Sequence, residues 1–291
     1  MDRLENVIKY FESIKMKQAV LGMLSESRRS PGGTPYPPEK VKQYCQVSHR
    51  IYNHRPVFVL SPEKPVARLI YLHGGAYYNE FDPAHWSLMG RLVRELNVEV
   101  VAPDYPLTPV FGHKDVFDMV TQAYQDCLVD LPEGGLLVAG DSAGGGIALA
   151  LTQWALQEGL PLPRRLALLS PWLDVTMSDP EIEELNKVDP FLEPVSGRRI
   201  AEWYRQGEDP RFYQVSPLFG PVKGLPYTLV MSGTRDILYS DAKRFAKRLD
   251  EEGVPYQFHK GEGMIHTWML FPIEERREAL SDLLQFLSVA Q

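Results

Sequence analysis

The sequence predicts an α/β fold whose central sheet is mostly parallel. Three short segments, 67–72, 98–102 and 136–139, are compact and mostly apolar, which is typical of strands buried on both faces of a parallel sheet. Segments with apolar residues at helical spacing lie among them, over 86–96 and 116–131. Because strands that alternate with helices usually build a parallel sheet covered by helices, we expect that architecture here.

The same alternation continues to the C-terminus. The further predicted elements are strands at 166–169, 227–231 and 256–259 and helices at 147–155, 240–252 and 280–287. Gly253 closes one of these helices, as glycine commonly does. The parallel sheet is therefore expected to extend through the second half of the chain.

Two segments depart from this alternation and suggest how the chain is divided. Apolar residues of 2–24 follow the helical period and predict one amphipathic helix, which prolines and glycines after residue 30 end. We therefore expect an N-terminal helical arm over 1–46 and a main domain over 47–291. The stretch from about 177 to 210 is polar and broken by prolines, so we expect an insertion over the sheet edge.

The composition excludes several classes of protein. The 291 residues carry 31 Lys and Arg against 38 Asp and Glu, a net charge of −7 without a basic tract, so nucleic acid is not an expected partner. Cys45 and Cys127 form no CxxC pattern, which excludes a disulfide scaffold and a Cys-rich zinc site. No membrane span or secretory signal is visible, and we expect a cytoplasmic protein without a bound metal.

A serine follows the predicted strand 136–139 in the sequence Gly-Asp-Ser-Ala-Gly, residues 140–144. The G-x-S-x-G pattern between a strand and a helix is typical of a nucleophilic serine on a sharp turn. The glycines let neighbouring backbone pass close to that strained turn. Ser142 is therefore the candidate nucleophile, although a tightly packed turn without chemistry has the same pattern.

His73-Gly74-Gly75 follows the predicted strand 67–72. A nucleophilic serine creates negative charge on a carbonyl oxygen, and backbone N–H groups must point at that charge. We expect Gly74 and Gly75 to supply two donors and Ala143 the third. We expect His73 to have a structural role.

A serine nucleophile needs a histidine base and an acid that orients it, in the chain order Ser, acid, His. His259 and His266 follow Ser142, and His266 is favoured because it comes after a glycine-rich loop, whereas His259 lies within a strand. Asp236 is the favoured acid because it follows the strand 227–231. Asp241 begins a helix and Asp174 comes too early in the chain, so they are weaker candidates.

These motifs together resemble the hormone-sensitive-lipase-like esterases of the α/β-hydrolase superfamily. The matching stretches lie in the family's order at 73–78, 102–109, 140–151, 168–176, 232–242 and 263–268. The resemblance implies an eight-stranded, mostly parallel sheet flanked by helices, with a helical cap formed by the N-terminal arm and an insertion. It also implies hydrolysis of short- to medium-chain carboxylic esters through an acyl-enzyme, without a cofactor.

The sequence departs from that family at three places. Ala76 stands where a third glycine usually follows, and Gly146 where asparagine is frequent. The tract 106–110 lacks the usual arginine and glutamate, so the salt bridge expected there is in doubt. None of these departures removes a candidate for the catalytic residues.

Four aromatic residues are candidates for the walls of a substrate pocket: Tyr77, Tyr78, Trp172 and Phe191. Phe11 of the arm is a further candidate, and all of these rings serve equally well as core or cap packing. The expected partner is a small-molecule ester. The sequence leaves open two other functions, an amide or formamide hydrolase and a ligand-binding relative without catalysis. It also leaves open whether the protein forms a homodimer.

Overall fold

The computed structural model describes residues 3–25 and 36–289. In these residues the strands are β1 (Gln46–Tyr52), β2 (Arg55–Ser61), β3 (Ala67–Leu72), β4 (Val98–Pro103), β5 (Leu136–Asp141), β6 (Arg165–Leu169), β7 (Tyr227–Arg235) and β8 (Tyr256–Ile265). They form one sheet in the order β1-β2-β4-β3-β5-β6-β7-β8. The pairs β1–β2 and β2–β4 are antiparallel and all the others are parallel, which confirms the predicted mostly parallel sheet.

Helices cover the sheet and connect its strands. They are α1 (Arg3–Ser13), α2 (Met16–Ser25), α3 (Glu39–Lys42), α4 (Pro83–Leu96), α5 (His113–Cys127), α6 (Ser142–Gln157), α7 (Glu181–Leu185), α8 (Pro194–Arg205), α9 (Tyr239–Glu251) and α10 (Arg276–Leu287). Short 3-10 helices occupy Pro217–Phe219 and Trp268–Leu270. Among the described residues, none of the helices combines the length and the apolar character that crossing a membrane requires.

The central strands are buried on both faces. Ile70 and Val138 belong to one apolar cluster, and their chain neighbours Leu69 and Leu137 belong to another. Because successive side chains of a strand point to opposite faces, the sheet separates two cores. This explains why apolar residues follow one another in these strands rather than alternating with polar ones.

The structure differs from the sequence predictions in three places. The single helix predicted over 2–24 is wrong: Lys15 has a φ angle of 49°, and this left-handed residue separates α1 from α2. The predicted last strand is too short, because β8 runs on through residue 265. The edge strand β1 and its neighbour β2 were not predicted, and β1 gave no signal because it is largely exposed and lacks an apolar run.

Candidate active site

Ser142 lies at the turn between β5 and α6. Its φ angle is 52°, a left-handed conformation that strains a residue other than glycine. A Cβ on Gly140 would collide with the backbone of Gly144, and one on Gly144 would collide with the carbonyl oxygens of Leu72 and His73. The glycines therefore permit the close approach that places Ser142 at the carboxyl end of the sheet, where such folds bind ligands.

His266 connects Ser142 to Asp236. Its Nε2 lies 2.9 Å from Ser142 Oγ, and its Nδ1 lies 2.8 Å from Asp236 Oδ2. Asp236 directly follows β7 and His266 directly follows β8, so two neighbouring parallel strands deliver the pair. All three side chains are buried. The structure thus brings together the three residues that the sequence singled out.

The rival candidates have other partners. His259 Nδ1 lies 2.6 Å from Asp282 Oδ2 on α10. Asp241 forms an ion pair with Arg244, whose Nη1 lies 2.7 Å from Asp241 Oδ1. Asp174 accepts the backbone N–H of Thr176 at 2.8 Å. None of these three side chains contacts Ser142 or His266 in the described part of the chain.

Nearby carboxylates raise the pKa of His266. Burial is the largest single influence and opposes protonation of the imidazole, but the charge of Asp236, its hydrogen bond and the other nearby carboxylates together outweigh burial. The charges of Asp189 and Asp141 act in the same direction. The site is therefore arranged to stabilise the positive charge that a histidine acquires when it takes a proton from serine.

Asp189 is a buried carboxylate near this site that no sequence motif indicated. It lies between α7 and α8, and its Oδ2 accepts the backbone N–H of Ile237 at 2.9 Å. Asp236 Oδ1 accepts the N–H of Leu238 at the same distance. Burial and the charge of Asp236 raise the pKa of Asp189 to about 6.

The glycine turn after β3 differs from the prediction at one residue. The N–H of Gly74 donates to Asp141 Oδ1 at 3.0 Å, so it is not available to a substrate oxygen, and the prediction that Gly74 is an oxyanion donor is wrong. Gly75 and Ala76 have φ angles of 119° and 54° and line the cavity beside Ser142. Their N–H groups have no acceptor among the described residues.

Asp141 connects this turn to β3 and α4. Its carboxylate also accepts the hydroxyl of Tyr71 at 2.7 Å and contacts His85 Nε2 at 3.3 Å. The N–H of Asp82 donates to His85 Nδ1 at 3.0 Å, so Nε2 carries the proton that His85 donates to Asp141. The sequence placed Asp141 within the serine motif but gave no sign of this network, because Tyr71 and His85 are distant along the chain.

A cavity of about 530 Å³ opens onto Ser142 and His266. Its apolar walls include Met16 and Val20 of α2, Ile200 of α8, Leu192 from the loop before α8, and Leu270 of the second 3-10 helix. Three predicted wall residues line it: Tyr78, Trp172 and Phe191. The cavity is large enough for a small ester and mostly apolar, as ligand sites usually are.

Two of the expected wall residues lie elsewhere. Tyr77 is fully buried and stacks on Tyr204 with ring centroids 3.7 Å apart, so the prediction that Tyr77 lines the pocket is wrong. Phe11 stacks on Phe191 behind the cavity wall, with centroids 5.1 Å apart. The sequence missed Met16 and Val20, because apolar residues at helical spacing do not reveal which of them face a cavity.

Among the described residues, no group of three or more His, Cys, Asp or Glu side chains could hold a metal ion.

Most of the chain is similar to known proteins. Residues 69–270 match the family described as the alpha/beta hydrolase fold. An esterase of Acinetobacter venetianus is 32% identical over 75% of this chain and 73% of its own length. An acetyl-hydrolase of Streptomyces hygroscopicus is 31% identical over 76% of this chain and 75% of its own.

A solved structure described as an esterase of the bacterial hormone-sensitive lipase family covers 93% of this chain and 96% of its own, with 26% identity and a TM-score of 0.79. The chain therefore belongs to the α/β-hydrolase family, among the hormone-sensitive-lipase-like esterases. It is a carboxylic ester hydrolase of the serine class.

Proposed function

We propose that Ser142, His266 and Asp236 are the nucleophile, general base and orienting acid of an esterase for short- to medium-chain carboxylic esters. One observation carries the proposal: two consecutive hydrogen bonds, of 2.9 Å and 2.8 Å, join the Ser142 hydroxyl through His266 to Asp236. Such a chain allows the imidazole to take the serine proton while the carboxylate stabilises the resulting charge.

The reaction has two halves with the same proton route. Ser142 Oγ attacks the ester carbonyl carbon as its proton passes to His266 Nε2. His266 returns that proton to the alkoxy oxygen as the carbon–oxygen bond breaks, which leaves an acyl-enzyme and a free alcohol. Water then gives a proton to His266 and attacks the acyl carbon, and the carboxylic acid leaves as Ser142 regains its proton.

The negative charge of each tetrahedral intermediate needs backbone donors. We assign these donors to Gly75, Ala76 and Ala143. Gly75 and Ala76 line the cavity, and their N–H groups have no acceptor in the part of the chain that the structure describes. Ala143 lies in the first turn of α6, where backbone N–H groups lack acceptors within the helix. The same helix terminus favours negative charge.

The arm over 1–46 and the insertion over about 177–210 are proposed to form a cap above the catalytic domain of 47–291. Support comes from the cavity walls, to which α2 contributes Met16 and Val20, and α8 contributes Ile200. The related acetyl-hydrolase favours a short acyl group for this chain as well. The apolar walls favour neutral esters, and the limited volume of the cavity disfavours long-chain lipids.

The proposal is tested with p-nitrophenyl acetate, butyrate, octanoate and palmitate. We expect turnover of the shorter esters and little of palmitate. Ser142→Ala is expected to lower kcat by at least about 1,000-fold, because the nucleophile is lost. Ser240→Ala, which changes a buried serine of α9, is the matched control and should retain turnover. Activity in Ser142→Ala would refute the triad.

Three further assignments stay predictions. The amide or formamide hydrolase is tested by adding the corresponding anilides to the ester panel, where faster amide turnover would favour it. The homodimer is tested by light scattering on a sizing column, and the cytoplasmic location by fractionation of the native cells. No contact of the described residues favours one outcome for these three.

A further inference from the structure

The carboxylate of Asp189 joins two parts of the active site. Its Oδ2 accepts the N–H of Ile237, the residue after Asp236, at 2.9 Å. Its Oδ1 accepts the N–H groups of Phe191 and Leu192 at 2.8 Å and 2.9 Å. One side chain therefore fixes the loop of the triad acid and a wall of the substrate cavity at the same time.

Phe191 extends this connection to the base. Its ring stacks on the imidazole of His266, with centroids 5.9 Å apart and planes inclined by 28°. Phe11 of α1 packs on Phe191 in turn, at 5.1 Å. The hydrogen bond from the Phe191 N–H to Asp189 thus holds the backbone of the residue whose ring packs against His266.

The side chain of Asp189 is only 3% exposed, and such a carboxylate is costly to bury without strong partners. If this position served packing alone, a neutral hydrogen-bonding residue or an apolar residue would fill it at a lower cost in folding free energy. The charged groups facing it are Asp236 and His266 on the triad side and Lys17 of α2 on the other. Lys17 also interacts with Glu193 and donates to the backbone oxygen of Asn186 at 2.8 Å.

We propose that Asp189 is a positioning residue for the catalytic triad, which holds the Asp236 loop through Ile237 and supplies a second negative charge to His266. The inference rests on the proposed roles of Ser142, Asp236 and His266. Asp189 touches neither substrate nor the reacting atoms. It acts by fixing the acid and the base in the geometry that the proton transfer requires.

Asp189→Asn is the first test, because it keeps the size of the side chain and removes the charge. Its amide has one oxygen, so either Ile237 or the Phe191–Leu192 pair loses its acceptor. We expect kcat for p-nitrophenyl butyrate to fall by about tenfold to about 100-fold, since small displacements of catalytic groups are costly. The acid midpoint of the kcat/KM profile should move to lower pH, because a charge that stabilises the imidazolium is gone.

Asp174→Asn is the matched control. Asp174 is also a fully buried carboxylate that accepts a backbone N–H, from Thr176 at 2.8 Å, but it is not among the charges that act on His266. We expect it to lose a similar amount of thermal stability and to keep the wild-type midpoint. An equal fall in kcat and an equal shift of the midpoint in both variants would overturn the proposal.

Asp189→Glu separates charge from position and also covers the case in which Asp189→Asn does not fold. It keeps the negative charge but moves the oxygens away from the Ile237 N–H, so we expect a low kcat with a midpoint near that of the wild type. Wild-type kcat in a folded Asp189 variant would overturn the proposal. Turnover by Ser142→Ala would instead refute the triad itself, whatever the Asp189 variants show.

Discussion

The carboxylate of Asp141 accepts the backbone N–H of Gly74 at 3.0 Å. This hydrogen bond joins the residue before the nucleophile to the turn that carries the proposed oxyanion donors. The nucleophile and the donors therefore lie in one connected unit, although they come from different strands of the sheet. The distance between them is then fixed by the protein rather than by the substrate, as efficient stabilisation of a developing charge requires.

Asp141→Asn tests that connection. Tyr71, Gly74 and His85 all present donors to the carboxylate, and an amide offers an N–H₂ group to one side of that set. Either His85 or the Tyr71–Gly74 pair therefore loses its acceptor, and we expect kcat to fall by about 10-fold to about 100-fold with a smaller change in KM. Tyr71→Phe removes one donor and keeps the charge, so it should be milder. A kcat unchanged in Asp141→Asn would contradict the connection.

Ala76 provides a test of the revised oxyanion hole. Its φ angle is 54°, a conformation that glycine adopts freely and β-branched residues resist. Ala76→Val should pull the backbone out of this conformation and lower kcat by about tenfold, because it misdirects a donor. Ala76→Gly is the control and should keep kcat. Similar kcat values in the two variants would remove Ala76 from the oxyanion hole.

The pH dependence of the rate reports on His266. Only the neutral imidazole accepts the Ser142 proton, so activity is present above the pKa of His266 and is lost as pH falls through it. The neighbouring carboxylates raise this pKa above 6.5. We expect the acid midpoint of kcat/KM for an alkyl ester, followed by titration of released acid, to lie above 6.5. A midpoint below that value would contradict the electrostatic arrangement described for the site.

The triad was predictable because each member follows a recognisable strand or motif. Ser142 is in a local sequence pattern, and the order of the strands limits the acid and the base to a few candidates. Gly74 was misassigned because the sequence does not show where its N–H points, and that direction depends on Asp141. Asp189 was missed for a similar reason: the partner that joins it to the triad is the N–H of Ile237, which is distant along the chain and unmarked by any pattern.

The fold, too, was predictable only where a local sequence pattern marks an element. Buried strands such as β5 were predicted from continuous apolar runs, which follow from burial on both faces. The exposed edge strand β1 has no such run, because only its pairing with β2 keeps it in the sheet. The break between α1 and α2 at Lys15 was also invisible, since apolar spacing continues across it.

Gly144 tests how the turn at Ser142 depends on close packing. A Cβ at this position would collide with the carbonyl oxygens of Leu72 and His73, so Gly144→Ala should lower the free energy of unfolding by about 3 kcal/mol or more. Gly159 follows the same helix at a φ angle of 65° with no neighbour within 4 Å. Gly159→Ala should therefore cost only about 1 kcal/mol, from backbone strain alone. Urea titration measures both, and equal losses would contradict the packing argument.

Ile200 tests whether α8 limits the length of the substrate. Its side chain lines the cavity, and a larger one would occupy space that a longer acyl or alkyl group needs. We expect Ile200→Trp to lower kcat/KM for p-nitrophenyl octanoate by about tenfold relative to acetate, because about two buried methylene groups would lose their place. Val195→Trp is the control, since Val195 lies on the same helix and is 57% exposed. Its ratio of octanoate to acetate should match the wild type. If Ile200→Trp left that ratio unchanged, α8 would not form the part of the pocket that holds the longer chain.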